Sequence, residues 1–412
     1  MSTPKRSVLE RRPQGRIRLS VLSRIRKPNS ILFLRPDYHC TFAYRSALQT
    51  MGWDVAIFSD MNPEDPLLFS SEGVQFKNLV PHWLPSILHF PYRFLRHIYF
   101  FLKSLRYEYH ILYGRPPFFS FKEESKIFNW ATRGLTDRGF LISLSLTRLF
   151  GIKMVFRPSG CRDVNLRADF QKLDEGNVCG NCGFFDRCDE NSNERNLKRL
   201  SRYFSAILGD GSDPMNTIRV KELRWKAIDL KVWRPFQDFL DVSKADGPRK
   251  VRILHSHSMG SRLGNGKNIK GTPAIIRAVE RLVEEGYPVE IIEVTGVPSR
   301  EMRHYQASAD IIVDQLIYGW WGSTGVEGMA LGKPVVCYLR ESWKQRFFEV
   351  FPDVVNLPVI EASPSTIYDV LRQLVENPEL RVQKSLESRQ FAEHHFNPIK
   401  NALSLQETLS AL

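Results

Sequence analysis

A glycine-rich turn followed by a glutamate contains the residues of this chain that are best suited to chemistry. Residues 311–313 predict a strand, and residues 326–331 predict a helix that ends at Gly332. Between them, small residues leave backbone N–H groups at a helix start, where the macrodipole favours a phosphate and glycines allow close approach. Glu327 is predicted to lie in the first turn, with its carboxylate available to sugar or ribose hydroxyls. The predicted anion-binding residues are Gly322, Ser323, Thr324 and Gly325.

A basic loop upstream provides a second part of this predicted site. Residues 251–257 predict a strand, and Thr272 with Pro273 is typical of the start of the next helix. The loop between them is rich in glycine and in cations that could meet a diphosphate at the other helix start: Arg262, Lys267 and Lys270. A purely structural interpretation stays open for both segments, in which the glycines make a turn, Glu327 offsets the dipole and the cations are solvated.

These two segments resemble the donor site of GT-B glycosyltransferases, in particular the large retaining group with an E-x7-E signature. Residues 328–336, GMALGKPVV, match the end of that signature, and Glu327 matches its second glutamate, which in the group contacts the nucleotide ribose. Gly319 occupies the position of the first glutamate, which contacts the donor sugar. Lys270 with Gly271 matches a Lys-Gly pair of the family, and Arg262 is its most plausible arginine partner, with Lys267 competing for either role.

The resemblance implies an α/β fold of two Rossmann-like domains facing across a cleft. It also implies a glycosyltransferase that moves a sugar from a nucleotide-sugar donor to a glycan, lipid-linked or other acceptor, as in polysaccharide biosynthesis. The reaction would retain anomeric configuration and need no divalent ion, and no catalytic base can be named. Gly319 leaves open an altered relative that binds a nucleotide sugar or glycan without transfer. A sugar-nucleotide epimerase and a metal-organised interaction protein are further alternatives.

The composition agrees with two domains, since 412 residues with 42% hydrophobic content can bury two cores. Residues 1–29 predict a basic, disordered tail, because they hold nine Lys or Arg residues and one Glu. An acceptor-side domain is expected over residues 30–235, with a cysteine-rich insertion over 161–188. A nucleotide-sugar-binding domain is expected over residues 245–395, and a helix over 396–412 that packs back on the first domain.

The tail supplies most of the formal net charge of +13. No nucleic-acid module accompanies it, so nucleic acid is not an expected partner, although its Arg-rich composition is also typical of a transit peptide. Apolar runs are shorter than a transmembrane helix requires, and the first residues lack the apolar core of a signal peptide. We therefore expect a cytoplasmic enzyme.

Residues 91–106 predict an amphipathic helix that is both aromatic and basic. Its apolar face could lie on an anionic membrane, which would bring the enzyme to the cytoplasmic face of that membrane, or it could pack on its own sheet. The apolar residues are Phe94, Leu95, Ile98, Phe101, Leu102 and Leu105, and the basic ones are Arg93, Arg96, His97, Lys103 and Arg106.

The predicted strand over residues 31–34 is not followed by a glycine-rich turn, so a nicotinamide enzyme is not expected.

Two further groups of residues are weaker candidates for the cleft. After a predicted strand over residues 153–156, a turn resembles one that faces the donor cleft in many relatives, and it contains Ser159, Gly160 and Asp163. Trp320 and Trp321 could line the cleft or cap the core, and their small, polar loop favours the cleft.

Four of the six cysteines lie close together, and Cys179 with Cys182 forms a C-x2-C pair that suits two thiolate ligands of one ion. Cys161 and Cys188 could complete a tetrahedral site. Structural zinc is the first interpretation, and an iron–sulfur cluster uses the same ligands. Free or redox-active thiols are the second interpretation, and disulfides the least expected. The remaining two cysteines are isolated.

Overall fold

The structure is a computed structural model. It contains two parallel β-sheets, each flanked by helices. The structure describes residues 26–59, 74, 76–77, 80–114, 141–160, 163, 166–167, 170, 177–183, 185, 188–211, 220–235, 249–257, 263–264 and 267–412. Arg262, Cys161 and nearly all of the predicted basic tail lie outside these residues.

The first sheet has seven strands in the order β3-β2-β1-β4-β5-β6-β7, and all of its described pairings are parallel. The strands are β1 (Lys27–Leu34), β2 (Asp54–Ser59), β3 (Phe76–Lys77), β4 (Tyr107–Tyr113), β5 (Lys153–Arg157), β6 (Ala206–Gly209) and β7 (Lys221–Glu222). Its helices are α1 (Tyr38–Thr50), α2 (Ser86–Ser104) and α3 (Glu190–Ser201), together with a helical segment over residues 141–149.

The second sheet has five parallel strands in the order β11-β8-β12-β13-β14. They are β8 (Val251–Ser256), β11 (Val289–Val294), β12 (Ile311–Val313), β13 (Val335–Cys337) and β14 (Ile360–Glu361), and a small hairpin of β9 (Leu263–Gly264) and β10 (Lys267–Asn268) follows β8. The helices are α4 (Thr272–Glu284), α5 (Ser299–Ser308), α6 (Ser323–Ala330), α7 (Glu341–Val350), α8 (Ile367–Glu376), α9 (Pro378–His395) and α10 (Pro398–Ser410).

Both faces of the first sheet are covered, which explains the apolar runs over residues 31–34 in β1 and 55–58 in β2. Leu32 and Leu34 in β1 belong to a core with α2 and the helical segment 141–149, whereas Ile31 and Phe33 belong to a core with α1 and α10. The last helix of the chain therefore packs on the first sheet. The predicted α/β architecture with two Rossmann-like sheets is confirmed, as are the predicted strand over residues 311–313 and, up to Ser256, the one over residues 251–257.

Two predictions need correction. Residues 27–29 were assigned to the tail but form the start of β1, where Lys27 pairs with Asp54 across the sheet at 2.6 Å. The apolar residues predicted on one face of α2 are divided between two environments, because Phe101 is buried in the core while Leu95 and Leu102 are exposed. Among the helices that the structure describes, none combines the length and apolar character needed to span a bilayer.

Candidate functional site

The start of α6 is organised around the carboxylate of Asp314, which directly follows β12. Asp314 is fully buried, and its Oδ2 accepts hydrogen bonds from the backbone N–H groups of Gly322 at 2.5 Å and Gly325 at 3.2 Å. These two N–H groups were predicted to be open to a phosphate, and the structure corrects that prediction. The N–H groups of Ser323 and Thr324 also belong to the first turn of α6, which has no intrahelical acceptors for them.

Lys270 is brought to the same place by the loop between β10 and α4. Its Nζ lies 2.8 Å from Asp314 Oδ1, and its side chain is about one-quarter exposed. The ammonium group has three donors, so this ion pair leaves donors that can reach a ligand. The predicted convergence of a cation with a glycine-rich helix start is therefore present, with Asp314 as the residue that joins them.

Strand ends hold this arrangement together. Ser256, the last residue of β8, shares a hydrogen bond of 3.0 Å with the Thr324 hydroxyl. His255 Nδ1 lies 2.9 Å from the carbonyl of Val313, and its Nε2 lies 2.8 Å from the Thr272 hydroxyl. Because a carbonyl only accepts, Nδ1 carries the proton and Nε2 accepts from the threonine. Burial, with the nearby Lys270 charge, lowers the pKa of His255 to about 4, so the ring is neutral at pH 7.

Glu327 is in the second turn of α6 rather than the first, and its carboxylate is buried. Its Oε1 lies 3.2 Å from Nδ1 of His39 in the first turn of α1, and its Oε2 accepts from the Gln306 amide at 2.8 Å. The pair of His39 and Glu327 is thus a direct contact between elements of the two sheets. The carboxylate is engaged by protein groups, in contrast to the predicted open carboxylate.

A side chain at Gly319 would be strained and would clash with Arg340 in this structure. The φ of +101° at Gly319 lies in the left-handed region that L-residues rarely adopt, and a Cβ there would lie 2.3 Å from Cγ of Arg340. Arg340 is fully buried, its backbone N–H donates to the Gly319 carbonyl at 2.9 Å, and its Nε donates to the Tyr318 carbonyl at 3.2 Å. The side chain of Arg340 thus fills the space beside Gly319.

Trp320 and Trp321 are core residues, not cleft residues. Each is only 6% exposed, and they pack against each other with ring centroids 4.2 Å apart. Phe347 of α7 contacts both rings, and Phe391 of α9 contacts Trp321. The preference for the cleft was wrong because the small, polar character of their loop does not reveal the aromatic side chains that α7 and α9 bring to it.

The predicted turn after β5 lies at the carboxyl end of the first sheet. Both the backbone N–H and the hydroxyl of Ser159 donate to Asp163 Oδ2, at 2.9 and 2.7 Å. Gly114, at the end of β4, has a φ of +63°, and a Cβ there would lie 2.6 Å from the Ser159 hydroxyl. The Asp163 carboxylate therefore stabilises the turn itself, and Gly160 lies within it.

A buried charged group at the same edge was missed by the sequence analysis. Asp37, just after β1, accepts a hydrogen bond of 2.9 Å from Trp225 Nε1 and lies 3.7 Å from Lys226 Nζ. Burial opposes its ionisation, but Lys226, the Trp225 hydrogen bond and Arg157 hold the pKa of Asp37 below its ordinary value. Arg157, at the end of β5, also pairs with Asp210. Asp37 lies three residues after β1, Arg157 ends β5 and Asp210 follows β6. This position at the carboxyl ends of parallel strands was the signal that could have identified them.

The cysteine-rich segment contacts the β9–β10 hairpin. Phe185 lies between two cations, with the Arg167 guanidinium 4.4 Å and Lys267 Nζ 5.0 Å from its ring centroid. Lys267, a predicted donor-binding residue, therefore lies against an aromatic ring. Within the described residues, no three His, Cys, Asp or Glu side chains are grouped closely enough to hold a metal ion. Because Cys161 is outside those residues, the zinc site of Cys161, Cys179, Cys182 and Cys188 stays a prediction.

Comparisons with known proteins identify the architecture. No family model and no curated protein sequence matches the chain. Among solved structures, HepE from Anabaena in complex with UDP and glucose is 13% identical with a TM-score of 0.53, and the match covers 93% of this chain and 99% of HepE. Sucrose-phosphate synthase from Thermosynechococcus elongatus is 12% identical with a TM-score of 0.55, covering 93% and 98%. At such identities the likeness shows the fold, and this chain has the GT-B fold of two Rossmann-like domains.

Proposed function

We propose that this protein is a glycosyltransferase that takes its sugar from a nucleotide-sugar donor and transfers it to a glycan or lipid-linked acceptor. One observation carries the proposal. Lys270 and the amino end of α6 converge on a single carboxylate, so a cation and a helix start lie within a few ångströms of each other at the carboxyl end of β12. A nucleoside diphosphate is the ligand that fits such a pair.

The proposed chemistry follows from where negative charge develops. An acceptor hydroxyl attacks the anomeric carbon, while the bond between that carbon and the diphosphate oxygen breaks and leaves its electron pair on the diphosphate. The hydroxyl proton passes to the departing diphosphate or to water. The leaving nucleoside diphosphate gains charge, which Lys270 and the N–H groups of Ser323 and Thr324 would stabilise. Retention of anomeric configuration and catalysis without a divalent ion are further parts of the proposal, and both rest on the resemblance to the retaining group.

Asp314 would orient the donor-binding groups. Its charge offsets that of Lys270, so the pair adds little net charge, but it fixes the ammonium group and the loop before α6 in one geometry. A site that is ordered before the donor arrives loses less conformational entropy on binding. HepE, which has the same fold, was also crystallised with UDP-glucose, which supports a nucleotide sugar as the ligand class.

The structure around Gly319 favours a second candidate function, in which a nucleotide sugar is bound but not transferred. The resembling family places a sugar-contacting glutamate at that position, and here Arg340 excludes any side chain. Product formation separates the two functions. Appearance of a glycosylated acceptor, or release of free sugar from the donor above background, would support transfer, whereas unchanged donor in a protein that binds it would support binding alone.

Calorimetric titration with UDP, GDP, ADP and CDP tests the donor site, and Ser323 offers a matched pair of variants. Ser323→Pro removes one N–H group at the first helical position, where proline is tolerated, and Gly322 before it is already extended with φ −96° and ψ −165°. Ser323→Ala removes the hydroxyl and keeps the N–H group. Losing one charge-assisted hydrogen bond costs about 1.5–3 kcal/mol, so Ser323→Pro should weaken binding roughly 10-fold to 100-fold relative to Ser323→Ala.

Lys270→Ala should weaken binding of the same nucleotide, and Arg372→Ala, which removes an exposed cation from α8, serves as its control. Thermal melts of each variant establish that it is folded. Equal nucleotide affinity of Ser323→Pro and Ser323→Ala would show that the helix start does not contribute to nucleotide binding. A folded wild-type protein that binds none of the four nucleotides would contradict the proposed function.

A further inference from the structure

The outer face of α2 carries a stripe of exposed apolar side chains. Ile87 is 83% exposed, Leu95 65% and Leu102 59%. Leu88, Leu95, Tyr99 and Leu102 are separated by seven, four and three positions, and Ile87 and Phe94 flank them, so these residues follow one side of the helix, here named the exposed α2 face. Its members are Ile87, Leu88, Phe94, Leu95, Tyr99 and Leu102.

The opposite side of α2 already supplies the contacts that hold the helix on the sheet. His97, Phe100, Phe101 and Ser104 are buried, and the two phenylalanines belong to the core beneath the first sheet. The exposed α2 face is therefore not needed for packing within the described part of the chain. An apolar surface of this kind marks a site of contact with something else.

A second apolar surface lies on the same side of the sheet. In the helical segment 141–149, Ile142, Leu146 and Leu149 are exposed at intervals of four and three residues. Leu144 of this segment shares its core with Phe100 and Phe101 of α2, so both helices cover one face of the sheet. Right-handed crossovers from β3 to β4 and from β4 to β5 require the same placement. The two apolar surfaces therefore lie on the same side of the first sheet and face away from it.

All fixed charge on these two helices is positive. Neither Ser86–Ser104 nor residues 141–149 contain an aspartate or glutamate. Lys103 is exposed, with its Nζ 5.6 Å from the Tyr99 ring centroid, and Arg96 lies 4.5 Å from the Phe100 ring centroid. Arg93 and Arg148 are the other cations of these helices. An apolar stripe flanked by cations alone is complementary to a surface that is anionic outside and apolar just beneath.

We propose that the exposed α2 face, with the apolar side chains of segment 141–149, docks on an anionic phospholipid bilayer. The exposed leucines and Ile87 would enter the boundary between headgroups and acyl chains, and the exposed cations Lys103 and Arg148 would meet lipid phosphates. Trp83, 72% exposed just before α2, would lie at the interface. The protein would lie on the bilayer without crossing it. This inference is independent of whether the donor site transfers sugar.

Sedimentation of the full chain with vesicles tests the proposal. One vesicle preparation is phosphatidylcholine alone, and the other contains equal parts of phosphatidylcholine and phosphatidylglycerol. The protein should sediment with the anionic vesicles at 0.1 M salt, bind far less to the neutral ones, and be partly released at 0.5 M salt because the headgroup attraction is screened. Equal binding to both preparations, or binding to neither, would overturn the assignment to an anionic bilayer.

The double variant Leu95→Ser and Leu102→Ser removes two exposed apolar side chains without touching the core. It should reduce the fraction bound to anionic vesicles roughly tenfold, and Lys103→Glu should reduce it as well. The matched control is Val382→Ser with Leu386→Ser on α9, whose native side chains are 62% and 60% exposed and which should leave binding unchanged. Equal loss in both double variants would contradict a role for α2.

Light scattering distinguishes a bilayer from a second copy of the chain as the occupant. A wild-type protein that keeps the same mass as the Leu95→Ser and Leu102→Ser variant supports the bilayer. A wild-type dimer that becomes a monomer in this variant would instead identify the exposed α2 face as a contact between copies. Nucleotide affinity should be the same in all these variants, so failure of vesicle binding and failure of the donor site are separate results.

Discussion

Replacing Gly319 by alanine tests whether the close approach of Arg340 is the reason for a glycine at this position. The new Cβ would lie 2.3 Å from Cγ, 2.5 Å from Nε and 2.7 Å from Cδ of Arg340. Arg340 cannot easily move aside, because its side chain is fully buried and lies over the rings of Phe170 and Trp343, with centroid distances of 5.4 and 5.8 Å. We therefore expect Gly319→Ala to be destabilising beyond its backbone effect.

The magnitude has two parts. An L-residue in the left-handed region costs about 1–2 kcal/mol, and a forced contact in a packed core adds about 1–3 kcal/mol. Gly286→Ala isolates the first part, because Gly286 has a φ of +86° and no atom within 4 Å of its added Cβ. We expect the free energy of unfolding to fall by about 1–2 kcal/mol in Gly286→Ala and by about 2–5 kcal/mol in Gly319→Ala.

Urea denaturation followed by tryptophan fluorescence measures both variants. With a denaturant slope of about 3 kcal/mol/M, an extra loss of about 2 kcal/mol lowers the midpoint by roughly 0.7 M. Gly319→Glu should be at least as unstable as Gly319→Ala, and it should not increase transfer activity. If Gly319→Ala unfolded at the same urea concentration as Gly286→Ala, the argument that Arg340 excludes a side chain at this position would be wrong.

Two other predictions concern buried titratable groups. Burial lowers the pKa of His255 to about 4 and that of His395, which also lies near Arg224, to about 3. Both values are below the unfolded value of about 6.5, so only the unfolded chain gains protons as the pH falls from 6.5 towards 4, and stability is lost over that range. From pH 7 to pH 5 each histidine should remove about 2 kcal/mol, measured by urea denaturation at both pH values, and His255→Gln should reduce this pH dependence. Burial, reinforced by Asp37, raises the pKa of the Cys40 thiol to about 12, so iodoacetamide at pH 8 should modify Cys40 only in unfolded protein. Labelling of Cys40 in the native protein, detected by mass spectrometry of its peptides, would contradict this prediction.

The sequence by itself determined buried strands of both sheets, such as β1, β5, β8 and β12, and the existence of the helix start at α6. Continuous apolar strands such as β12 and β13 are typical of strands buried on both faces, and the glycine-rich turn after β12 follows from backbone sterics. These are local properties, so they can be predicted from residue types and spacing. The predicted cation at Lys270 could be placed near the helix start for the same reason, because the carboxyl ends of parallel strands share one edge.

Only the tertiary structure decided which partners the site residues take. Asp314 accepts hydrogen bonds from backbone N–H groups that were expected to be open to a phosphate. His39 lies nearly 290 positions from Glu327 in the chain, yet it contacts Glu327 from a helix of the first sheet. Trp320 and Trp321 join the core because α7 and α9 bring aromatic side chains to them. Such contacts depend on chain segments far apart in sequence, and no local pattern encodes the distance between them.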